Sequence, residues 1–154
     1  MSLDFLMHRY LELEEAILNL SPSQILDFLH PLAEADEAAA QTLLADSYLD
    51  GTLEFVDPMQ ARAWYRKAAE QGFSLAEFSL GFMHLRGEGA VQDLQEAEFW
   101  LLRAAEKGDS AAQWRLGQLY SHQGNLPSAS LWLEQATRQG HAEAALLLEQ
   151  LRPS

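Results

Sequence analysis

Three features of the sequence predict an all-α solenoid built from helix-turn-helix repeats. Val, Ile and Thr, which favour strands, number only seven among 154 residues, while helix-favouring Ala, Leu, Glu and Gln abound. Tryptophan and glycine recur together, at intervals of 36 and then 32 residues: Trp64, Trp100 and Trp132 with Gly72, Gly108 and Gly140. Repeats of this period stack on their neighbours, and a chain of this length forms one domain, so we expect a single solenoid domain over residues 1–154.

Each repeat is predicted to contain two helices, A and B. Helix A places its buried face at i, i+4, i+5 and i+8, as in Ala112, Leu116, Gly117 and Tyr120. The small residue in this set lets helix B approach closely. Helix B begins at a capping residue (Asp57, Asp93 or Asn125) and ends at the recurring glycine, which can adopt the left-handed conformation that stops a helix.

The period also predicts the order of elements along the chain. Residues 1–35 form an N-terminal cap: an amphipathic helix over 3–20, then a degenerate helix B over 21–35. Leu6, Tyr10, Leu13, Ile17 and Leu20 lie along one side of the first helix. Three repeats follow at 36–72, 73–108 and 109–140, and 141–154 supplies a closing helix A.

These residues resemble the Sel1-like repeat, a relative of the tetratricopeptide repeat. In the first repeat the matching residues are Ala40-Gln41, Leu44, Tyr48, Gly51, Asp57, Ala61, Trp64-Tyr65, Ala68-Ala69 and Gly72. The resemblance implies a right-handed α–α superhelix. It also implies an adaptor or scaffold that binds other proteins, as Sel1-like proteins do in signalling, degradation, secretion and bacterial competition. A secreted, cysteine-rich branch is linked to β-lactam binding, and this cysteine-free chain departs from that branch.

Charge and cysteine content exclude several classes of function. The net charge is −13, and residues 1–60 carry twelve acidic groups and one basic group, Arg9. Binding to nucleic acid depends on clustered Lys and Arg, so no nucleic acid partner is expected, whereas a basic protein is a plausible one. The chain has no cysteine, and neither a basic secretory signal nor a membrane-spanning run, so we expect a cytoplasmic protein without membrane contact.

No pattern in the sequence points to catalysis. The five histidines (His8, His30, His84, His122 and His141) never occur at the helical spacing that points two ligands at one metal. His84 replaces a core tyrosine of the repeat, which predicts a packed imidazole. Gly87-Glu88-Gly89 lacks the strand and lysine of a phosphate loop. We therefore expect no enzyme activity, no catalytic residue, no metal site and no cofactor.

One stripe of helix A is unusually apolar in the second repeat. The side opposite helix B, which faces the concave groove of such solenoids, carries Leu75, Phe78, Phe82 and Leu85 there, and Trp114 and Gln118 in the third repeat. Exposed apolar side chains of this size are costly unless something covers them. We predict that these six residues bind a partner. The occupant is either an external protein or the amphipathic helix of residues 3–20, and the external one is favoured because residues 21–35 attach that helix beside the first repeat.

The leading functional hypothesis is an adaptor that binds a protein or peptide in this groove. An immunity or inhibitor protein that binds a basic toxin or enzyme is an alternative. A self-associating structural subunit is another, so the chain is expected to be a monomer or a weak homo-oligomer.

Overall fold

The fold consists of nine α-helices, with no strand, in the computed structural model, which describes residues 2–152. The helices are α1 (Leu3–Ile17), α2 (Pro22–Glu34), α3 (Ala38–Leu49), α4 (Pro58–Glu70), α5 (Ser74–Arg86), α6 (Leu94–Glu106), α7 (Ser110–His122), α8 (Leu126–Arg138) and α9 (Ala142–Leu151). The predicted all-α class is confirmed. The predicted domain limits at residues 1 and 154 lie outside the described residues.

The helix starts follow the capping residues seen in the sequence. The side chains of Asp57, Asp93 and Asn125 each accept a hydrogen bond from a backbone N–H of the first turn of α4, α6 and α8. These bonds satisfy donors that have no partner inside the helix. Helix α1 ends at Ile17 rather than at residue 20, and Ser21, which precedes Pro22, is extended (φ −70°, ψ 161°).

The helices pack in sequence as a solenoid requires. Helices α3 and α4, α5 and α6, and α7 and α8 form the three A–B pairs, and each B helix also packs against the next A helix. The recurring small residue sits at the tightest contact. A Cβ at Gly81 would lie 2.8 Å from Leu101 Cγ and 3.0 Å from the Leu101 backbone nitrogen. The close approach of α5 and α6 therefore requires glycine at this position.

A polar pair, here called the clasp, ties a buried side chain of helix A to an exposed side chain at the end of helix B within each repeat. The pairs are Gln41 with Gln71 (2.9 Å), Glu77 with Lys107 (2.7 Å) and Gln113 with Gln139 (2.8 Å). Only the clasp of the second repeat is charged, and Arg103 Nε also donates to Glu77 there at 2.9 Å. Glu77 is fully buried, so these two cations compensate a charge that water does not reach.

Candidate functional site

All six residues predicted to bind a partner are half-buried in the structure. Leu75, Phe78, Phe82 and Leu85 lie on α5, and Trp114 and Gln118 lie on α7. The opposite side of α5, with Ala76 and Leu80, is fully buried. We call the partly exposed side of α5 and α7 the groove face.

The centre of the groove face is an aromatic stack with a cation above it. The rings of Phe78 and Phe82 are stacked, with centroids 6.0 Å apart and planes inclined by 15°. The Arg115 guanidinium carbon lies 4.7 Å from the Phe82 ring centroid, and that of Arg86 lies 5.5 Å from it. A guanidinium at this distance is attracted to the negative face of the ring, so both arginines hold the Phe82 ring in place.

Two cavities flank Gln118 and His122 and together form an open groove. The first, of about 330 Å³, lies between α5 and α7 and is lined by Leu85 and Arg115. The second, of about 390 Å³, lies between α7 and α9 and is lined by Trp114 and Leu147. Because Gln118 and His122 line both, the groove continues from the second repeat to the closing helix.

The ends of the predicted stripe also take part in packing between repeats. Leu75 packs against the core shared by α1–α5, and Trp114 packs against the core of α8 and α9. The Trp114 ring centroid lies 5.4 Å from that of His141. The open part of the groove face therefore centres on Leu85, Arg115 and Gln118, and the Phe82 ring lies against the guanidinium of Arg115.

Sequence analysis missed Arg115 and His122, which line the groove beside the predicted residues. A signal for Arg115 was available: it lies inside an A helix with no acidic residue three or four positions away on either side. Such an arginine has no carboxylate partner within its own helix. Its place above Phe82 depends on how α7 packs beside α5, which the helical period alone does not give.

Helix α1 covers the equivalent face of the first repeat. Phe5 and Arg9 line one cavity with Glu37 and Ala38 at the start of α3. Ile17 and Leu18 line another with Leu43 and Asp50 at its end. The two helices therefore run side by side in the same direction, and Leu6, Leu13 and Ile17 are buried.

A carboxylate of α3 receives hydrogen bonds from two tyrosines under this helix. The hydroxyl of Tyr10 donates to Asp46 Oδ2 at 2.5 Å, and the hydroxyl of Tyr65, on α4, donates to Asp46 Oδ1. Burial raises the pKa of Asp46 above the usual range of an aspartate, although both hydrogen bonds oppose the rise. Asp46 thus links α1 to the first repeat, although burial of its charged carboxylate is unfavourable.

This raised pKa predicts a pH dependence of stability. A carboxyl whose folded pKa exceeds its unfolded value of about 4 stabilises the protein most below that value, and the contribution is lost as pH rises through the folded pKa. Urea unfolding should show that the unfolding free energy of Asp46→Asn, relative to that of the wild type, increases from pH 4 upward. Asp27→Asn, which changes an exposed aspartate of α2, should show no such trend; equal trends would contradict the assignment.

His84 is a buried imidazole, as the repeat pattern predicts. It is 1% exposed, and Arg62 Nη2 lies 2.9 Å from its Nδ1. Burial, followed by the charge of Arg62, lowers the pKa of His84. Its role in the structure is packing between α4 and α5.

Two further properties concern residues 2–152. No group of three or more His, Cys, Asp or Glu side chains lies together as metal ligands would within this range. Among the helices of the same segment, none has the length and apolar character needed to cross a membrane.

Comparisons with known proteins agree on the repeat. The family model described as Sel1 repeat matches residues 38–73, 74–109 and 110–141. A solved Sel1 repeat protein from Oxalobacter formigenes superimposes with a TM-score of 0.75 and 31% identity, over 86% of this chain and 39% of that one.

A second solved structure is c5321, described as a protective antigen present in uropathogenic Escherichia coli strains that displays an SLR fold. It has a TM-score of 0.68 and 40% identity, over 75% of this chain and 26% of its own. The chain thus spans well under half the length of both structures. No curated protein matches it significantly.

Proposed function

We propose, because the chain belongs to the Sel1 repeat family, that it is a non-catalytic adaptor whose protein partner binds in the groove of the second and third repeats. Sel1 repeat proteins generally mediate protein–protein interactions. The six residues predicted from the sequence (Leu75, Phe78, Phe82, Leu85, Trp114 and Gln118) line the proposed binding surface. The repeat limits predicted from the sequence and a cytoplasmic location belong to the same proposal.

The observation that carries this proposal is the contrast between the first repeat and the second. At one 36-residue spacing, Asp46 corresponds to Phe82 and Thr42 to Phe78. Thr42 is fully buried, in a helix that α1 covers, whereas Phe78 and Phe82 are half-buried, and Phe82 lies against Arg115, which lines an open groove. Partly exposed aromatic side chains beside cavities are typical anchors for a partner protein.

The experiment compares two phenylalanines that differ in position. Phe82→Asp places a charge in the groove, and Phe99→Asp places the same charge on α6, where Phe99 is 51% exposed.

A photo-crosslinking residue at Gln118 captures the partner in cells, with the same residue at exposed Ala63 of α4 as a control. We expect crosslinking from Gln118 alone.

Affinity for the captured partner should fall by about thirty-fold or more for Phe82→Asp, the size of a hot-spot loss, and little for Phe99→Asp. Circular dichroism should show unchanged helix content in both variants.

An alternative partner surface is the acidic N-terminal region. Residues 1–60 carry twelve acidic groups against one basic group, which favours a basic toxin or enzyme as the partner of an immunity or inhibitor protein. That alternative predicts full binding by Phe82→Asp, so the same variant separates the two surfaces. If the captured partner is a second copy of this chain, the adaptor proposal is wrong and the self-associating subunit is right.

A further inference from the structure

Helix α1 shows what kind of element this side of an A helix can hold. The side chains that α1 turns toward α3 recur at i, i+4, i+7 and i+11: Leu6, Tyr10, Leu13 and Ile17. Leu6, Leu13 and Ile17 are 2–7% exposed, so this face of the helix is removed from water. Within residues 2–152, an amphipathic helix therefore covers the side of α3 that corresponds to the groove face.

Beside α5 the open groove differs from the covered one in its charge, whereas its far cavity is lined by an acid, Glu143 of α9. In the first repeat the groove carries the acids: Glu37 pairs with Arg9 of α1, and Asp46 accepts from Tyr10. In the open groove the position of Asp46 is taken by Phe82, and the charge above it is the cation Arg115. A helix suited to the open groove must accordingly be more apolar at that contact and carry the opposite charge.

Within the part of the chain that the structure describes, Arg115 is a cation without a counter-ion. Its Nη1 donates to Gln118 Oε1 at 2.9 Å, and within residues 2–152 no carboxylate oxygen lies within 4.0 Å of its guanidinium. The other arginine above Phe82, Arg86, is already paired with Glu88 at 2.8 Å. In a chain of net charge −13, a half-buried arginine over an aromatic floor is placed to receive a carboxylate from outside.

Helix α1 is itself held elsewhere and does not fill this groove. Its contacts with Glu37 and Asp46 fix it along α3, and toward the second repeat the edge of Tyr10 meets Phe73, with centroids 6.2 Å apart. Phe73 precedes α5, so the groove beyond it stays open.

We propose that the groove between α5, α7 and α9 binds an amphipathic helix of a partner protein, and that an aspartate or glutamate of this helix pairs with Arg115. The inference rests on the proposed function and names the chemistry of its partner. The apolar side of the helix lies on Phe82, Leu85 and Trp114. Its carboxylate forms a bidentate ion pair with the guanidinium of Arg115.

The test uses a displayed library of 18-residue peptides. Apolar residues are fixed at the α1 spacing (i, i+4, i+7, i+11), and the other positions are randomised. The library is selected in parallel on the wild type and on Arg115→Glu. We expect Asp or Glu to be enriched at one position on the wild type and Lys or Arg at that position on the variant.

One selected peptide then enters a double-mutant cycle measured by fluorescence anisotropy. Replacing its acidic residue with Gln should weaken binding to the wild type at least about ten-fold, and should have no effect on Arg115→Gln. A proline in the middle of the peptide should abolish binding, because it breaks the helix. Phe82→Asp should lose every selected peptide.

Two results would overturn this inference, and they leave the proposed function to its own test. Peptides that require Phe82 but show no acidic preference, or no coupling to Arg115, contradict the ion pair. The absence of any peptide that requires Phe82 contradicts the helix. In either case, crosslinking of a cellular partner from Gln118 still supports groove binding, and failure of that crosslinking refutes the proposed function separately.

Discussion

Trp100→Ala should lower the free energy of unfolding by about 3–5 kcal/mol, a large share of the stability of a domain this size. Trp100 is 4% exposed and, although it belongs to α6, packs into the core formed by α1–α5. Its indole nitrogen donates to Glu96 Oε2 at 3.1 Å. The substitution therefore opens a cavity where the second repeat joins the first and also leaves the Glu96 carboxylate without this donor.

The measurement is urea unfolding followed by far-ultraviolet circular dichroism. Trp132→Ala is the matched control, because Trp132 occupies the same repeat position in the third unit but is only half-buried. We expect the Trp132 variant to lose clearly less stability than the Trp100 variant. Equal losses, or a Trp100 variant as stable as the wild type, would show that Trp100 is not the residue that couples the repeats.

Removing both cations from the clasp of the second repeat should cost a similar amount. In Arg103→Met/Lys107→Met, Glu77 remains fully buried without either partner, and the carbonyl of Gly72 loses the donor that Lys107 Nζ places at 2.8 Å. An uncompensated buried charge of this kind costs about 3–5 kcal/mol. Methionine keeps the apolar stems of both side chains, so the loss reports the missing charges.

The neutral clasps of the neighbouring repeats provide the control. Glu77→Gln/Lys107→Gln recreates the pair of glutamines found at Gln41 with Gln71 and at Gln113 with Gln139. We expect this variant to unfold within about 1 kcal/mol of the wild type, because each amide can both donate and accept. If it is as unstable as Arg103→Met/Lys107→Met, the charge of Glu77 is needed and the reasoning from repeat equivalence is wrong.

The contacts that hold the helices together and the open groove face are both features of the repeat. The clasps and the close contact at Gly81 hold A and B helices together, so the groove face of α5 and α7 has a fixed shape before any partner arrives. A preformed surface loses little conformational entropy on binding. Substitutions in the groove should therefore act on affinity, whereas those at Trp100 and Glu77 should act on folding.

The sequence by itself determined the helices and their order. Helix starts at Asp57, Asp93 and Asn125 were readable because a cap is a local interaction, formed between a side chain and the next turn of its own chain. The buried face of each A helix was readable for the same reason, since the helical period places residues on one side whatever lies opposite.

Only the tertiary structure decided which contacts cover the first groove. The attachment through residues 21–35 already placed the first helix beside the first repeat, but that Tyr10 would reach Asp46 depends on the turn at Ser21 and on how α2 packs against α3. The position of Arg115 over Phe82, and the two cations around Glu77, depend on neighbouring helices in the same way. Periodicity places residues along one helix, whereas contacts between helices are set by packing that no single helix contains.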